Sequence, residues 1–296
     1  MNSTQLFPLA SSVIILVFAT LVLRRFAARR SSHLLVWGIG LLMFGVASLA
    51  EAYSTLAWHP LAFRLWYLAG AALSAAWIGQ GSVHLLAGAK LPNLLLALIL
   101  GYAAAAVLFL SLSRLGIGAG VVAALIAFQG LIFAGVLWRR IVRRWNPARL
   151  AMLLTWVLIA GSIVAAYLVF SLPLNPAGFN PAEPLSAQYR EILPPAAGVR
   201  KVTPVLNIYG TIALVGGALY SAWLLWRKET MPHRVVGNVL IAVGAMLIAC
   251  TSAMVRLGLA DYLYVGQLLA AGLMFSGFLL ASARASMPSP AAPAKA

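Results

Sequence analysis

The residues best placed to do chemistry sit close together. Arg64, Tyr67, Ser74, Trp77, Gln80 and His84 punctuate one long apolar stretch of the 296-residue chain. At about 100° per residue the last five fall within about half of a helix circumference, so they face either one cavity or one neighbouring helix. Facing a cavity, they would form a ligand-lining stripe. Facing a helix, Gln80 and His84, one turn apart, would hydrogen-bond across the contact while Tyr67 stands in an interfacial aromatic belt. Glu51 ends the preceding apolar stretch and Arg64 begins this one, at similar depth across a short outer hairpin. An ion pair there would clasp the hairpin and offset the cost of partial burial. In the alternative, Glu51, Arg64 and Tyr67, with Trp58 and His59 above them, make an outward-facing polar pocket for a small ligand or a quinone head group. Arg256 and Asp261 flank a second outer turn in the same way as Glu51 and Arg64.

What is missing narrows the chemistry further. Glu51 and Asp261 lie at the ends of apolar stretches, and Glu183, Glu191 and Glu229 lie in loops, so the midplane acid usual in proton- or sodium-coupled transport is absent. Lys90, Lys201, Lys228 and Lys295 fall outside the stretches, which excludes a retinal Schiff base. The sequence has no Gly-Lys-Ser/Thr phosphate loop, no His-Glu-x-x-His zinc helix, no Gly-x-Ser-x-Gly elbow and no close pair of intramembrane carboxylates. No catalytic residue, metal site or cofactor is therefore expected, and an enzymatic role is disfavoured. The single cysteine, Cys250, permits neither an intrachain disulfide nor a cysteine-based metal site. His84 is the only histidine inside an expected span. A haem with two axial histidines from this chain is thereby excluded, which leaves single-ligand haem or pigment binding at His84 as the least favoured function.

The elements that must position these residues follow from composition. The chain is 63% hydrophobic and 9% charged, against an apolar share of roughly 45–50% in soluble domains. Nine segments are long enough to cross the bilayer: about 7–23, 34–56, 62–87, 93–112, 117–138, 150–172, 204–226, 235–257 and 262–283. Such long runs, apolar on all sides, do not suit a membrane barrel. Of the 21 lysines and arginines, an outside N-terminus places only Arg64, Arg114, Arg190, Arg200, Lys201 and Arg256 on the outer side. The others fall inside, every connection fits one orientation, and the C-terminus is cytoplasmic. The formal charge of +16 therefore reads as an orientation signal, and no nucleic-acid partner is expected. The predicted fold is an all-α, polytopic membrane bundle of about nine helices, forming a single domain over 1–286. A proline-rich outer loop, 173–203, holds a short helix at Leu185–Leu193, and the cytoplasmic tail 287–296 is disordered.

All fifteen prolines fall at span ends or in loops, so the proline interruption that often marks a transporter site is missing. Small residues four apart, Gly70 and Ser74, Ala75 and Gly79, Gly272 and Ser276, suit close helix approach. On the inner side Arg139, Arg140, Arg143 and Arg144, followed by Trp145, are candidates for anionic lipid head groups; the same residues suffice as a topology signal.

The run Arg-Leu-Trp-Tyr-Leu-Ala-Gly-Ala-Ala-Leu from Arg64, with Ala-Trp-Ile-Gly-Gln-Gly ending at Gly81, and the closing Met274-Phe275-Ser276-Gly277-Phe278-Leu279, resemble uncharacterised multi-pass bacterial integral membrane proteins. The resemblance covers two spans and implies no activity. In general organisation the chain is also similar to the multi-span sensing regions that precede bacterial signalling kinases, although it carries no kinase. The expected role is a binding, sensory or accessory-subunit function in the bacterial inner membrane, with the bilayer, anionic lipids and other membrane proteins as partners. The alternative is a transporter or permease for a small apolar or weakly polar solute, its path lined by Tyr67, Trp77, Gln80, Gln129, Asn207, Asn238 and Gln267.

Overall fold

The computed structural model describes residues 3–87, 146–194, 197–229, 231–256 and 262–283. Every regular element among them is helical: α1 (Ser3–Arg29), α2 (Ser32–Ser54), α3 (Pro60–Ala87), α4 (Pro147–Ser171), α5 (Leu185–Ile192), α6 (Val199–Arg227), α7 (Pro232–Arg256) and α8 (Leu263–Ser282), with a 3₁₀ turn at Pro176–Gly178. Seven of these, all but α5, are long and apolar enough to cross a membrane. They match seven of the nine expected segments. The expected spans 93–112 and 117–138, the arginines Arg139, Arg140, Arg143 and Arg144, Gln129, Asp261 and the tail 287–296 lie outside the described residues.

Local chemistry sets the helix ends. Arg30 stops α1 in the left-handed region at φ 53°, and its N–H closes on the Phe26 carbonyl at 2.7 Å. Proline at the first position and a side-chain cap start α3 and α4. His59 Nδ1 accepts from the Leu61 N–H and Asn146 Oδ1 from the Ala148 N–H. Pro8 and Pro204 are the prolines inside α1 and α6, each the sixth residue of its helix, so they do not break the middle of a span. Because α2 begins at Ser32, His33 also lies in a membrane-length helix, and His84 is not alone as a helical histidine.

Between Trp66 and Ser74, α3 widens into a π-helix. Each N–H there reaches back five residues, so the side chains fall behind the α-helical phase. Asn207 of α6 holds this segment by donating to the Ala71 carbonyl at 2.7 Å, and Ser74 Oγ donates to the Gly70 carbonyl at 2.8 Å.

Six helices pack in a closed circuit, α1 on α2, α2 on α3, α3 on α6, α6 on α7, α7 on α8 and α8 back on α1, while α4 lies against the outside of α3. One half of the circuit is filled. Ile15, Phe18, Leu41, Phe44, Ile78, Leu214, Met274 and Phe278 form an apolar plug on the side where α1 ends and α2 begins. At the opposite end, the segment after α4 folds into a cap. Leu185, Ile192 and Leu193 are buried there with Phe63, Trp66, Tyr67 and Val199. The helix expected at 185–193 is thus a packed element with its apolar face down on the bundle.

Small residues allow the closest approaches. A Cβ on Gly210 would lie 2.1 Å from the Ala75 carbonyl carbon, and one on Gly79 would lie 2.6 Å from the Gly210 oxygen, so α3 and α6 meet backbone to backbone. Gly237 and Gly277 do the same for α7 and α8. Gly272 does not behave as its spacing suggests: a Cβ there meets no described atom within 4 Å.

Candidate functional site

Above the plug the circuit is hollow. A cavity of about 540 Å³ opens between α2, α3, α6, α7 and α8, beneath the cap, within the size range typical of small-molecule pockets. Its wall is mostly apolar. The polar groups on it include Ser48 and Glu51 of α2, Tyr67 and Ser74 of α3, Thr203, Asn207 and Thr211 of α6, Thr251 and Ser252 of α7 and Gln267 of α8. Ser186 and Tyr189 of α5, with Arg200 at the start of α6, stand at the cap end.

Glu51 is the notable group. It is 3% exposed, and its Oε1 has no hydrogen-bond partner. Trp66 and Gln267 lie beside its carboxyl. Gln267 is turned so that Nε2 donates to Ser48 Oγ at 3.2 Å, which leaves its own Oε1 without a donor. Tyr67 is also buried, and its hydroxyl accepts from Thr203 Oγ1 at 3.3 Å.

The expected ion pair between Glu51 and Arg64 is not formed. Arg64 points away and donates to the carbonyls of Val169 at 3.2 Å, Phe170, and Leu172 at 3.0 Å. The reason is general: the last carbonyls of a helix have no intrahelical donor and carry its negative end, so they attract a forked cation. Arg64 therefore anchors the end of α4. Trp58 and His59 are also absent from the cavity wall. Trp58 stacks between Phe63 and Phe179, with ring centroids 5.7 and 5.1 Å away, and His59 caps α3.

The polar stripe on α3 divides at the π segment. Tyr67 and Ser74 face the cavity. Trp77, Gln80 and His84 face α4, where Trp77 Nε1 donates to Ser162 Oγ at 3.1 Å. Gln80 Nε2 donates to the Ala151 carbonyl and to Thr155 Oγ1, both at 2.9 Å, while the Tyr209 hydroxyl donates to Gln80 Oε1. His84 Nε2 lies 2.7 Å from Thr155 Oγ1. These three side chains act as interhelical contacts. Of the other residues expected on a solute path, Asn207 and Gln267 line the cavity, whereas Asn238 donates to the Arg234 carbonyl of its own helix at 2.9 Å.

Ser48, Thr203, Tyr189 and Arg200 were not singled out from the sequence. Ser48 had a signal available: it lies three residues before Glu51, on the same helix face. The others belong to the cap end, and long-range packing alone brings them to the cavity. Among the described residues no group of three His, Cys, Asp or Glu side chains is placed to hold a metal ion. No family model matches the chain, and neither does any curated protein or solved structure.

Proposed function

We propose that this is a nine-span protein of the bacterial inner membrane, N-terminus outside and C-terminus cytoplasmic, that binds a small ligand without chemical conversion. It serves as a sensor or as an accessory subunit of a membrane complex. The observation that carries this role is Glu51, a buried carboxylate with an unpartnered oxygen in a cavity beneath the cap. Leaving such a group unpaired is costly in a membrane, and a ligand offsets that cost. The basic-residue distribution puts the cap end outside. Arg139, Arg140, Arg143 and Arg144 then meet anionic lipids on the cytoplasmic side.

A permease is the second reading, favoured by the same cavity, but the apolar plug fills the end of the circuit away from the cap, the inner side in this orientation. Transport would require those side chains to part, whereas binding does not. Native mass spectrometry with an absorption spectrum on one mild-detergent preparation separates the roles. The expected result is a colourless protein carrying a small-molecule adduct that Glu51→Gln removes, with any subunit partner visible as added protein mass. Solute uptake into proteoliposomes, abolished by Glu51→Gln, would replace binding by transport. A visible band that disappears in His84→Ala would replace both by pigment binding.

A further inference from the structure

The chemistry around Glu51 selects a class of ligand. Two arginines at the cap end, Arg64 and Arg200, direct their Nη groups to backbone carbonyls, with Arg200 Nε left without a partner. Arg64 is spent on the α4 carbonyls at 3.2 and 3.0 Å. Arg200 donates from Nη2 to the Arg190 carbonyl at 2.7 Å, with its guanidinium 5.7 Å from the Tyr189 ring centroid. Beside Trp66 the bare groups are acceptors, Glu51 Oε1 and Gln267 Oε1, while Ser186 Oγ and Arg200 Nε, also without partners, stand at the cap end of the cavity. Aromatic faces flank the two acceptors, since Trp66 and Tyr67 line the same wall in an edge-to-face pair with centroids 6.0 Å apart. Two unpartnered acceptors, one of them on a carboxylate, beside electron-rich rings suit an ammonium group, which has three donors, no acceptor and a positive charge.

We infer that this cavity binds a protonated amine carried on an apolar body, with the ammonium against Glu51 and Gln267 and the body along Trp66, Tyr67 and the apolar wall. This rests on the ligand-binding role proposed above and adds the charge and polarity of the ligand. An anion would meet the Glu51 carboxylate, and a neutral hydrogen-bond acceptor would meet two further acceptors. A quaternary ammonium would satisfy the rings and the charge but would leave the acceptors without donors, so a primary or secondary amine fits better.

The test uses three probes of matched shape, 2-phenylethylammonium, 2-phenylethanol and 3-phenylpropanoate, titrated calorimetrically into the full chain in lipid nanodiscs. The amine is expected to bind at least about tenfold tighter than the alcohol, the scale of one charge-assisted hydrogen bond, and the acid weakest. Glu51→Gln should erase that margin, and binding of the alcohol to the variant reports an intact cavity. Glu51→Asp should retain the preference for the amine. Equal binding of amine and alcohol by the wild type, or a margin that survives Glu51→Gln, would overturn the amine assignment and leave the ligand-binding role standing. Failure of all three probes to bind the wild type would overturn both.

Discussion

Gly210→Ala is expected to destabilise the protein by about 3 kcal/mol, at the upper end of ordinary overpacking costs. The added methyl would fall 2.1 Å from the Ala75 carbonyl carbon, 2.2 Å from its oxygen and 2.5 Å from the Ala76 nitrogen. All three atoms are backbone, so no rotamer change can relieve the clash and α3 must move away from α6. That movement would also disturb the Asn207 to Ala71 hydrogen bond that supports the π segment, and with it the wall that carries Tyr67 and Ser74. Thermal unfolding in detergent reads the effect. Gly272→Ala is the control, because its methyl meets no described atom within 4 Å; the gain in helix propensity should leave that variant as stable as the parent or more so. Equal unfolding temperatures for the two variants would contradict the backbone contact between α3 and α6.

Removing Arg64 should come next in size, about 2–3 kcal/mol for Arg64→Leu, since charge-assisted hydrogen bonds and a helix-end charge are lost together. The effect should be local. Few side chains of α4 are buried among the described residues, so its polar ties to α3 add to a small apolar contact: Arg64 at the outer end, with Trp77, Gln80 and His84 further along. Hydrogen exchange should therefore speed up most over residues 165–172. Arg64→Lys should recover only part of the loss, because one ammonium cannot reproduce the fork that spans several carbonyls. If Arg64 instead clasped Glu51, the variant would loosen the hairpin at 52–60 and spare α4.

Hydropathy made the long helices legible, and the proline and capping residues at Pro60 and Asn146 account for helices that begin a few residues before the apolar runs. The short helix over the bundle mouth was legible as well, since Leu185–Ile192 is the proline-free middle of the loop, between Pro184 and Pro194. The side-chain partners were harder to read. Arg64 looked like the partner of Glu51 because both flank one hairpin, yet its acceptors are backbone carbonyls more than 100 residues away in sequence, and no residue type announces those. The π segment was equally hidden, because a change in backbone hydrogen-bond register leaves composition untouched. A constant 100° per residue puts Tyr67 and Gln80 at the two edges of one half of the circumference, about 140° apart, and in the structure one meets the cavity and the other α4. Gln80 and His84 still followed the general tendency of buried polar groups to bridge helices. Glu51 and Tyr67 stand together in the alternative polar-pocket reading, there with Arg64, but Ser48, Thr203 and the cap complete the cavity through long-range packing.

The central claim is that the cavity holding Glu51 opens on the outer side of the membrane. A cysteine at Ser74, which lines the cavity, reports on it directly once Cys250 is replaced. In sealed right-side-out vesicles, Ser74→Cys with Cys250→Ser is expected to react with a membrane-impermeant thiol reagent added outside. Ala271→Cys in the same background, placed in the apolar plug, should stay unmodified. Reaction of Ser74→Cys only when the reagent reaches the inner face, or no reaction from either side, would contradict the account.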